Sequence, residues 1–442
     1  MADKKFIALT SFVAALGGLL FGFDTAIISG AIPYIKSYFH MDEYVLGWSV
    51  SSILIGCAAG AMLAGNMADR YGRRAGLIIC AILFAVSGIG AGLANELYLF
   101  ILFRLIGGLG VGAAAMVSPM YIAEIAPARL RGRLVACYQL AIVFGILAAY
   151  FTNYFLSETG PDAWRWMFAS QAAPAALFFV LLLLVPETPR WLIMKGRYDA
   201  GKAILQKISG APVPDEEMIQ IENSFRKDEN LTIRQLFSKP YRTVLFVGII
   251  VAVFQQVTGI NAIIYYAPTI FKETGGDNAS SLMQTIGIGV VNIIATFVAI
   301  GLVDKIGRKK LLVAGCLLMG LSMTGVGLCF YFSYFEHYLV LIFMFLYVAS
   351  FGATLGAVVW VYLSEIFPNR IRSRALSIAT LALWLADFAV TLTFPIMTRH
   401  LGTALTMFCY AALCAVAFVY MMARVKETRG RSLEDIENLF VD

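Results

Sequence analysis

Long apolar stretches alternate with short polar ones along almost the whole chain. Stretches such as AALFFVLLLLV (175–185) and LFVGIIVAVF (245–254) lie inside longer segments that are nearly free of charge. A helix of roughly 20 apolar residues, rising about 1.5 Å per residue, crosses the ~30 Å hydrocarbon layer of a bilayer. The pattern predicts twelve such spans, at 6–35, 46–67, 75–94, 98–121, 133–156, 166–185, 243–270, 281–303, 310–333, 340–364, 375–398 and 402–423.

These spans are predicted to be helices rather than strands. Backbone polar groups have no water partner inside the hydrocarbon layer, so only helices and closed barrels satisfy them. The segments lack the strict alternation of a barrel strand, and glycine-rich runs such as GGLGVGAAA (107–115) suit close contact between membrane helices. The expected fold class is therefore an all-α integral membrane protein.

Composition supports this fold class and narrows the range of functions. Of the 442 residues, 60% are hydrophobic and 14% are charged, whereas soluble domains carry about 25% charged residues. The seven cysteines and three histidines show no metal-ligand spacing, so we expect buried, inert thiols and no metal site. The sequence contains no GxxxxGK[ST] phosphate loop, which argues against an ATP-driven pump.

Lysine and arginine set the predicted orientation. With a cytoplasmic N-terminus, 29 of the 34 basic residues lie on the cytoplasmic side, four lie outside and Arg104 lies within a span. Cytoplasmic loops of membrane proteins carry such an excess, so both termini are predicted to be cytoplasmic in a multi-pass protein of the cell membrane. The net charge of +6 reflects this bias, and no nucleic-acid partner is expected.

Three motifs recur at about half the length of the chain. GNMADRYGRR (65–74) after the second span corresponds to GLVDKIGRKK (301–310) after the eighth, with Asp69 and Asp304 separated by 235 residues. EIAPARLRGR (124–133) corresponds to EIFPNRIRSR (365–374), and PETPR (186–190) to KETRGR (426–431), at offsets of 241 and 240. Three motifs at nearly one offset predict two pseudo-symmetric six-helix bundles. The bundles are expected at 1–186 and 241–425, with cytoplasmic linker helices at 187–240 and a cytoplasmic tail at 426–442.

The motifs resemble those of the major facilitator superfamily. The PETPR and KETRGR pair, EIAPARLRGR and FQQVTGIN (254–261) together resemble the sugar porter family within it, over essentially the whole chain. The resemblance implies two six-helix bundles around a cavity at the middle of the membrane, and alternating access by rocking of one bundle against the other. It also places the chain near proton-coupled bacterial monosaccharide symporters and the related glucose facilitators.

Opposite charges repeat at the cytoplasmic ends of the helices. Ion pairs that join the two bundles could close the inner side of a transporter and break when it opens. Topology alone accounts for the basic residues but not for acids at matched positions, so we predict a cytoplasmic gating role. The set comprises Asp69, Arg73, Glu124, Arg131 and Glu187 in the first half, and Asp304, Arg308, Glu365, Arg372 and Glu427 in the second.

One acid and one arginine lie inside the predicted spans. Asp24 in the first span and Arg104 in the fourth are each about 20 residues from a cytoplasmic helix end, so they reach a similar depth. A charge at the centre of a span costs about 2.5–3.5 kcal/mol on insertion scales, which a static ion pair or a functional switch would explain. An acid that pairs with arginine when ionised and releases it when protonated couples a proton to conformation. The resemblance implies this switch, because proton symporters of the family carry an acid and an arginine at these positions.

A sugar site needs amides that donate and accept hydrogen bonds, together with aromatic faces. Taken alone, an amide in a span is as often a contact between helices, and most aromatic residues pack. The resemblance implies that Tyr265 and Tyr266 form an extracellular gate. It also implies a substrate-binding set of Phe21, Gln139, Gln255, Gln256, Asn261, Asn292, Gly356, Trp360 and Trp384.

The chain departs from the family pattern at three positions. Leu383 and Ile146 stand where relatives carry amides, and Asp387 stands where asparagine is common. Trp384 and Asp387 share a helix face, so a second titratable group is predicted in the cavity. Three roles for Asp387 stay open: proton binding, recognition of a different polyol, and a neutral hydrogen-bonded acid.

Together the patterns predict a secondary active transporter that imports a hexose or pentose by proton symport. We expect no enzyme activity and no cofactor other than the coupling proton, and a monomer whose partners are the sugar and the bilayer. A facilitative uniporter, a transporter of inositol or another polyol, and a sugar sensor that does not transport are the alternatives. The short tail after about residue 425 argues against the sensor, and the short first outer loop favours a bacterial source.

Overall fold

The first half of the protein is built from apolar helices that form six spans. The computed structural model describes residues 3–127, 130–214, 218, 236–368, 371–430 and 436, and their regular structure is helical. The sixth span is formed by two consecutive helices, α6 and α7. The helices are α1 (Lys4–Tyr38), α2 (Glu43–Tyr71), α3 (Arg73–Leu93), α4 (Leu97–Ile125), α5 (Arg131–Leu156), α6 (Ala163–Ser170) and α7 (Ala172–Leu184).

Two short helices follow in the predicted linker. Helix α8 (Pro189–Met194) begins with Pro189, whose fixed φ suits the first position of a helix. Helix α9 (Tyr198–Ser209) ends at Gly210, which adopts the left-handed conformation with φ 71°, a common helix stop. Within the linker, residues 215–217 and 219–235 lie outside the described residues, as do 431–435 and 437–442 of the tail.

The second half forms the remaining six spans. The seventh and tenth spans are each divided into two helices, and the last helix holds two spans because Gly402 (φ 79°, ψ 161°) breaks it. Among the described residues, eleven continuous segments are long and apolar enough to cross a membrane, so the break at Gly402 gives the predicted twelve. The helices are α10 (Lys239–Val257), α11 (Ile260–Glu273), α12 (Asn278–Ile306), α13 (Arg308–Tyr331), α14 (Leu339–Ala353), α15 (Leu355–Ile366) and α16 (Arg372–Arg424).

Glycines allow α2 and α4 to approach closely. Side chains at Gly56 and Gly60 of α2 would meet the backbone carbonyls of Leu105 and Leu109 on α4, and one at Gly112 would meet the carbonyl of Cys57. Because lipid chains are as apolar as leucine, membrane helices associate through close packing of small residues. The glycine-rich run of the fourth span therefore has the packing role that its composition predicts.

The chain packs into two compact units. The first comprises Met1–Asp24, Gly56–Gly145 and Ala169–Thr232, and the second comprises Thr25–Ile55, Ile146–Phe168 and Ile233–Asp442. The second unit therefore contains the outer parts of several first-half spans together with the second half of the chain. The boundaries predicted at 186, 240 and 425 come from the sequence repeat and stay a prediction.

Within the second unit, polar and aromatic contacts join the outer ends of the helices. The hydroxyl of Tyr150 on α5 donates to the carbonyl of Ile264 on α11 at 3.0 Å. The Trp48 ring of α2 meets the Phe388 ring of α16 edge-on, with centroids 6.0 Å apart. A side chain at Gly47 would meet the Leu392 carbonyl. First-half and second-half helices are thus packed together on the predicted extracellular side.

The cysteines follow the sequence expectation in part. Cys57, Cys80, Cys316, Cys329 and Cys414 are buried, but Cys137 and Cys409 are exposed. The expectation of a buried thiol is wrong at these two positions because the exposed face of a membrane helix accepts apolar side chains. No cluster of metal-ligating side chains occurs among the described residues.

Candidate transport site

The first unit holds a buried ion pair between α1 and α4. Nη1 of Arg104 lies 2.5 Å from Oδ1 of Asp24, and the two side chains are 1% and 0% exposed. Gly107, one turn beyond Arg104, has no side chain, and one there would meet the Asp24 carboxylate and Ser87. The glycine thus makes room for the acid. The structure places the two predicted residues in contact, and their role in proton coupling stays a prediction.

Sequence reasoning missed Gln171, which lies beside this ion pair. It lies between α6 and α7, is fully buried and is near enough to Asp24 to affect its carboxylate. Neither its amide atoms nor Oδ2 of Asp24 has a hydrogen-bond partner at ordinary length among the described residues. A single amide inside the apolar run FASQAAP was the available sequence signal, because a polar side chain in a span is costly unless it has a function or a partner.

The seventh span is broken beside the predicted sugar residues. Helix α10 ends at Val257, and Gly259 takes a left-handed conformation with φ 99° before α11 begins. A side chain there would also meet the ring of Tyr410, so both the backbone conformation and the lack of space require glycine. The break leaves the carbonyl of Thr258 without a partner in the helix, and it accepts a hydrogen bond from the Tyr347 hydroxyl at 2.8 Å instead. Irregular backbone at membrane depth needs such a partner, and it is typical of transporter binding sites.

The tenth span is broken in the same region of the second unit. Thr354 lies between α14 and α15 with φ −131° and ψ −95°. Nε2 of Gln255 donates to the carbonyl of Leu355 at 3.0 Å and lies 3.4 Å from that of Gly356. Oε1 of Gln255 is buried without a hydrogen-bond partner among the described residues. Gln255 therefore ties the two breaks together and keeps one acceptor available.

Asn261, at the start of α11, joins the seventh span to the eleventh. Its Nδ2 donates to Oε1 of Gln256 at 3.1 Å and to Oδ2 of Asp387 at 2.7 Å. Oδ1 of Asp387 accepts from the hydroxyl of Thr391, one turn along α16, at 3.3 Å. Asp387 is fully buried, and these recorded donors are neutral groups. The role of this acid among the three open possibilities stays a prediction.

The remaining predicted sugar residues lie in both units. In the second unit, Trp384 and Asn292 are buried, whereas Trp360 is 36% exposed. Gly356 lies in the first turn of α15. Phe21 and Gln139 belong to the first unit and are partly buried. Their part in sugar binding stays a prediction.

The two predicted gate tyrosines are buried in α11. Tyr265 and Tyr266 are each 2% exposed. The Tyr266 ring stacks on that of Phe394 with centroids 4.9 Å apart, and its hydroxyl donates to the carbonyl of Thr391 at 3.3 Å. These contacts hold Tyr266 against the eleventh span on the outer side, and its gating role stays a prediction.

The first cytoplasmic charge cluster centres on Arg73, the first residue of α3. Its guanidinium lies 3.0 Å from Asp69 and 3.1 Å from Glu124. The carboxylate of Glu187 accepts hydrogen bonds from the backbone amides of Arg73 and Arg74, each at 3.0 Å. Gly72 turns the chain into α3 with φ 103°. Glu187 thus caps the helix from a motif more than 100 residues away in sequence.

The second cluster repeats this arrangement around Arg308. Its guanidinium lies 2.8 Å from Glu365, and Glu427 accepts from the backbone amides of Arg308 and Lys309 at 2.9 and 3.2 Å. Gly307 turns the chain with φ 102°, nearly the value at Gly72. The repeat found in the sequence is therefore reproduced at the level of individual hydrogen bonds.

These clusters bear on the predicted gate. The ion pairs described above each join residues of one sequence half, and Arg372 donates to the carbonyl of Phe367 at 3.1 Å. The side chains of Arg131 and Asp304 lie outside the described residues. Burial raises the pKa of Glu187, although amide donors from Thr188, Arg74 and Arg73 oppose that shift. The gating role of the set stays a prediction.

Several partners of the clusters escaped sequence reasoning. The Trp191 indole donates to the carbonyl of Asp69 at 3.1 Å, and the Tyr121 hydroxyl donates to that of Pro186 at 2.7 Å. The Thr428 hydroxyl donates to Glu365 at 2.7 Å. Thr428 lies beside Glu427 within a repeated motif, so its position was a usable signal. Tyr121 and Trp191 gave none, because aromatic residues are common in spans and at their ends.

Comparisons with known proteins assign these motifs to a family. A family model described as "Sugar (and other) transporter" matches residues 10–440. The chain belongs to this sugar transporter family. Its fold is that of the major facilitator superfamily: it superposes with a TM-score of 0.88 on the partially occluded inward-open xylose transporter XylE of Escherichia coli, at 39% identity, over 97% of this chain and 100% of that one.

Two curated relatives of the family are similar over nearly their whole length. The arabinose-proton symporter of Bacillus subtilis is 40% identical over 442 residues, which cover 99% of this chain and 95% of the relative. The D-xylose-proton symporter of E. coli K12 is 40% identical over 476 residues, covering 99% and 96%. The sugar transporter is therefore a multi-pass membrane protein of a family that includes bacterial sugar carriers.

Proposed function

We propose that this transporter imports a monosaccharide together with a proton by alternating access. The observation that carries the proposal is the fully buried ion pair of Asp24 and Arg104. Burying two charges is costly, and apolar residues of similar volume would often be as stable. Intramembrane ion pairs of this kind mark proton and substrate pathways. The proton symporters among the relatives support the same choice.

The proton acts through the charge of Asp24. When ionised, the carboxylate holds the Arg104 guanidinium; when protonated, it gives up most of its attraction for the cation. A change in this pairing shifts the balance between conformations by the difference in its free energy in each state. No cofactor other than the proton is needed, and no catalytic residue is proposed, since transport breaks no covalent bond.

The sugar is proposed to bind at the breaks in the seventh and tenth spans. Oε1 of Gln255 is a buried acceptor without a partner among the described residues, and a sugar hydroxyl would satisfy it. Asn261, Asn292, Gln256 and Trp384 lie in spans of the second unit. Phe21 and Gln139, in the first unit, stay predicted sugar residues on the family resemblance. Amides and aromatic faces match the hydroxyls and apolar faces of a sugar ring. A monomer bound to lipid and sugar suffices for this chemistry.

Uptake into proteoliposomes tests the coupling. We expect labelled D-xylose, L-arabinose, D-glucose or myo-inositol to accumulate when an inward proton gradient is imposed on the native protein. Asp24→Asn should abolish accumulation, because asparagine takes up no proton, while counterflow exchange continues. Glu158→Gln is the matched control, since Glu158 is exposed outside the spans and should leave accumulation unchanged.

The other outcomes each reject part of the proposal. Equilibration of sugar that ignores the gradient in the native protein would make it a facilitative uniporter. Gradient-driven accumulation that survives in Asp24→Asn would move the proton site elsewhere. Binding of a sugar without any uptake would identify a sensor. Accumulation of inositol alone would identify a polyol transporter.

A further inference from the structure

Asp387 makes an unusual pairing for a buried carboxylate. It has no exposed surface, and both hydrogen bonds recorded for it come from neutral groups, the amide of Asn261 and the hydroxyl of Thr391. Nδ2 of Asn261 donates to Oδ2 of Asp387 at 2.7 Å, which is the direction that an ionised carboxylate requires, because it is an acceptor only. The pairing therefore fixes which way the Asn261 amide is turned.

The second hydrogen of the amide is also committed. Nδ2 of Asn261 donates to Oε1 of Gln256 at 3.1 Å, so both of its N–H groups have acceptors inside the protein. Gln256 is 8% exposed and Asp387 is 0% exposed, whereas Asn261 is partly exposed. Within the Asn261 side chain, the hydrogen-bonding capacity that remains is consequently the acceptor Oδ1.

The local backbone favours this arrangement. Asn261 is the second residue of α11, immediately after the break at Gly259. The first amides of a helix have no intrahelical acceptors, and the N-terminus carries a partial positive charge. An acceptor is favoured near that end, and Oδ2 of Asp387 is held there by the side chain of Asn261.

We propose that Asp387 is a positioning residue of the sugar site: it commits one N–H group of Asn261 while Gln256 commits the other, and this leaves Asn261 to accept a hydrogen bond from one sugar hydroxyl. The inference rests on the proposed function, because it requires Asn261 to contact the sugar. It concerns specificity and is independent of how the proton is coupled. A hydroxyl that donates to Asn261 should be required at one position of the ring.

Substituted sugars in counterflow exchange test the proposal. The probe is whichever of D-xylose, L-arabinose and D-glucose exchanges fastest, with its monodeoxy and monofluoro analogues as competitors. Fluorine cannot donate a hydrogen bond, so at one ring position it should weaken competition with the native protein by about tenfold, the equivalent of 1.4 kcal/mol. Counterflow needs no proton gradient, so this measurement stands even if the protein proves to be a uniporter.

Two variants of Asp387 separate positioning from packing. Asp387→Leu removes the acceptor and frees one N–H of Asn261, so the fluorine penalty at that position should fall to about threefold or less while KM for the parent sugar rises. Asp387→Asn keeps an acceptor oxygen and should retain the native fluorine penalty. Thermal unfolding of each purified variant checks that it is folded.

Three results would overturn the proposal. An unchanged pattern of fluorine penalties in Asp387→Leu would show that the acid does not orient Asn261, and so would a uniform loss of exchange rate with no change in that pattern. Equal effects of the leucine and asparagine variants would show that the acceptor is irrelevant. A native protein that exchanges none of the sugars would remove both this inference and the proposed function.

Discussion

Asp24 and Asp387 are both fully buried carboxylates, yet their surroundings differ. Asp24 faces a guanidinium, whereas the recorded donors to Asp387 are an amide and a hydroxyl. A charge and a neutral dipole respond differently to a proton: losing the carboxylate charge removes most of the attraction to a cation but only weakens a hydrogen bond to an amide. At the scale of single residues, Asp24 is suited to switching and Asp387 to positioning.

The ion pair makes a testable difference to stability. Arg104→Met leaves the buried Asp24 carboxylate without its cation, which is expected to cost about 3–5 kcal/mol. Adding Asp24→Asn to this variant removes the uncompensated charge, so the double variant should unfold at a higher temperature than Arg104→Met alone. Scanning fluorimetry of the purified proteins in detergent measures the order. Equal unfolding temperatures for the single and double variants would contradict the prediction.

At the scale of elements, the same carboxylate cap begins α3 and α13. Glu187 and Glu427 each accept two backbone amides at the first turn of a helix that follows a left-handed glycine. The caps come from the ends of the sixth and twelfth spans, so each ties the end of one bundle to the start of its third helix. The spacing that repeats between the two halves of the sequence thus corresponds to two equivalent carboxylate caps.

Loss of one cap should loosen only its own helix. Glu187→Gln keeps a single acceptor oxygen and loses the charge, which we expect to cost about 1–2 kcal/mol locally. Hydrogen exchange, followed by mass spectrometry, should speed up in the first turn of α3 and stay at the native rate in that of α13.

Glu427→Gln is the matched control for this experiment. It should reverse the pattern, with faster exchange at Arg308 and Lys309 and native exchange at Arg73 and Arg74. Faster exchange at both helix starts in either variant would show that the two caps are coupled, and this would contradict the prediction.

At the scale of the whole molecule, the outer ends of first-half helices pack with second-half helices inside one unit. Gly47 lies at this contact, where a side chain would meet the carbonyl of Leu392 and the ring of Pro395. Alternating access requires the outer side to open and close. Because Gly47 has no side chain, the outer ends of these helices can meet in the closed form. A larger side chain at this position would prevent that contact.

A bulky side chain at Gly47 should therefore stop the transport cycle. Gly47→Trp is expected to abolish both accumulation and counterflow exchange, because the outer ends can no longer meet, while sugar binding to the purified protein persists. Calorimetry of binding and uptake into proteoliposomes measure the two properties. Ile89→Trp, at an exposed position of α3, is the control that should transport normally. Native uptake by Gly47→Trp would contradict the role of this contact.

The sequence predicted the helices, their number and the repeat for local reasons. Run length and charge placement are set by the bilayer, which acts on each span separately. The merged α16 shows the limit of this reasoning, because Gly402 alone divides two spans in one continuous helix. Exposure of Cys137 and Cys409 was beyond it, since apolar residues occupy both the packed and the lipid-facing sides of a span.

Most residues of the candidate site could be predicted from the sequence, but their hydrogen-bond partners became known only from the structure. Asp24, Arg104 and the amides of the seventh span stand out in the sequence as polar groups within apolar runs, where their cost demands an explanation. Tyr347 and Thr391 do not stand out, because a tyrosine or threonine in a span has no such cost and their hydrogen bonds depend on which helices become neighbours.

The sequence by itself determined that the chain crosses the membrane about twelve times, in two related halves with basic cytoplasmic ends, because hydrophobic length and charge act locally. Only the tertiary structure decided that Glu187 and Glu427 cap distant helices, that Gln255 ties two broken spans together, and that Asn261 turns its amide toward Asp387. These contacts join residues far apart in the chain. Their free energy exists only once the helices have packed.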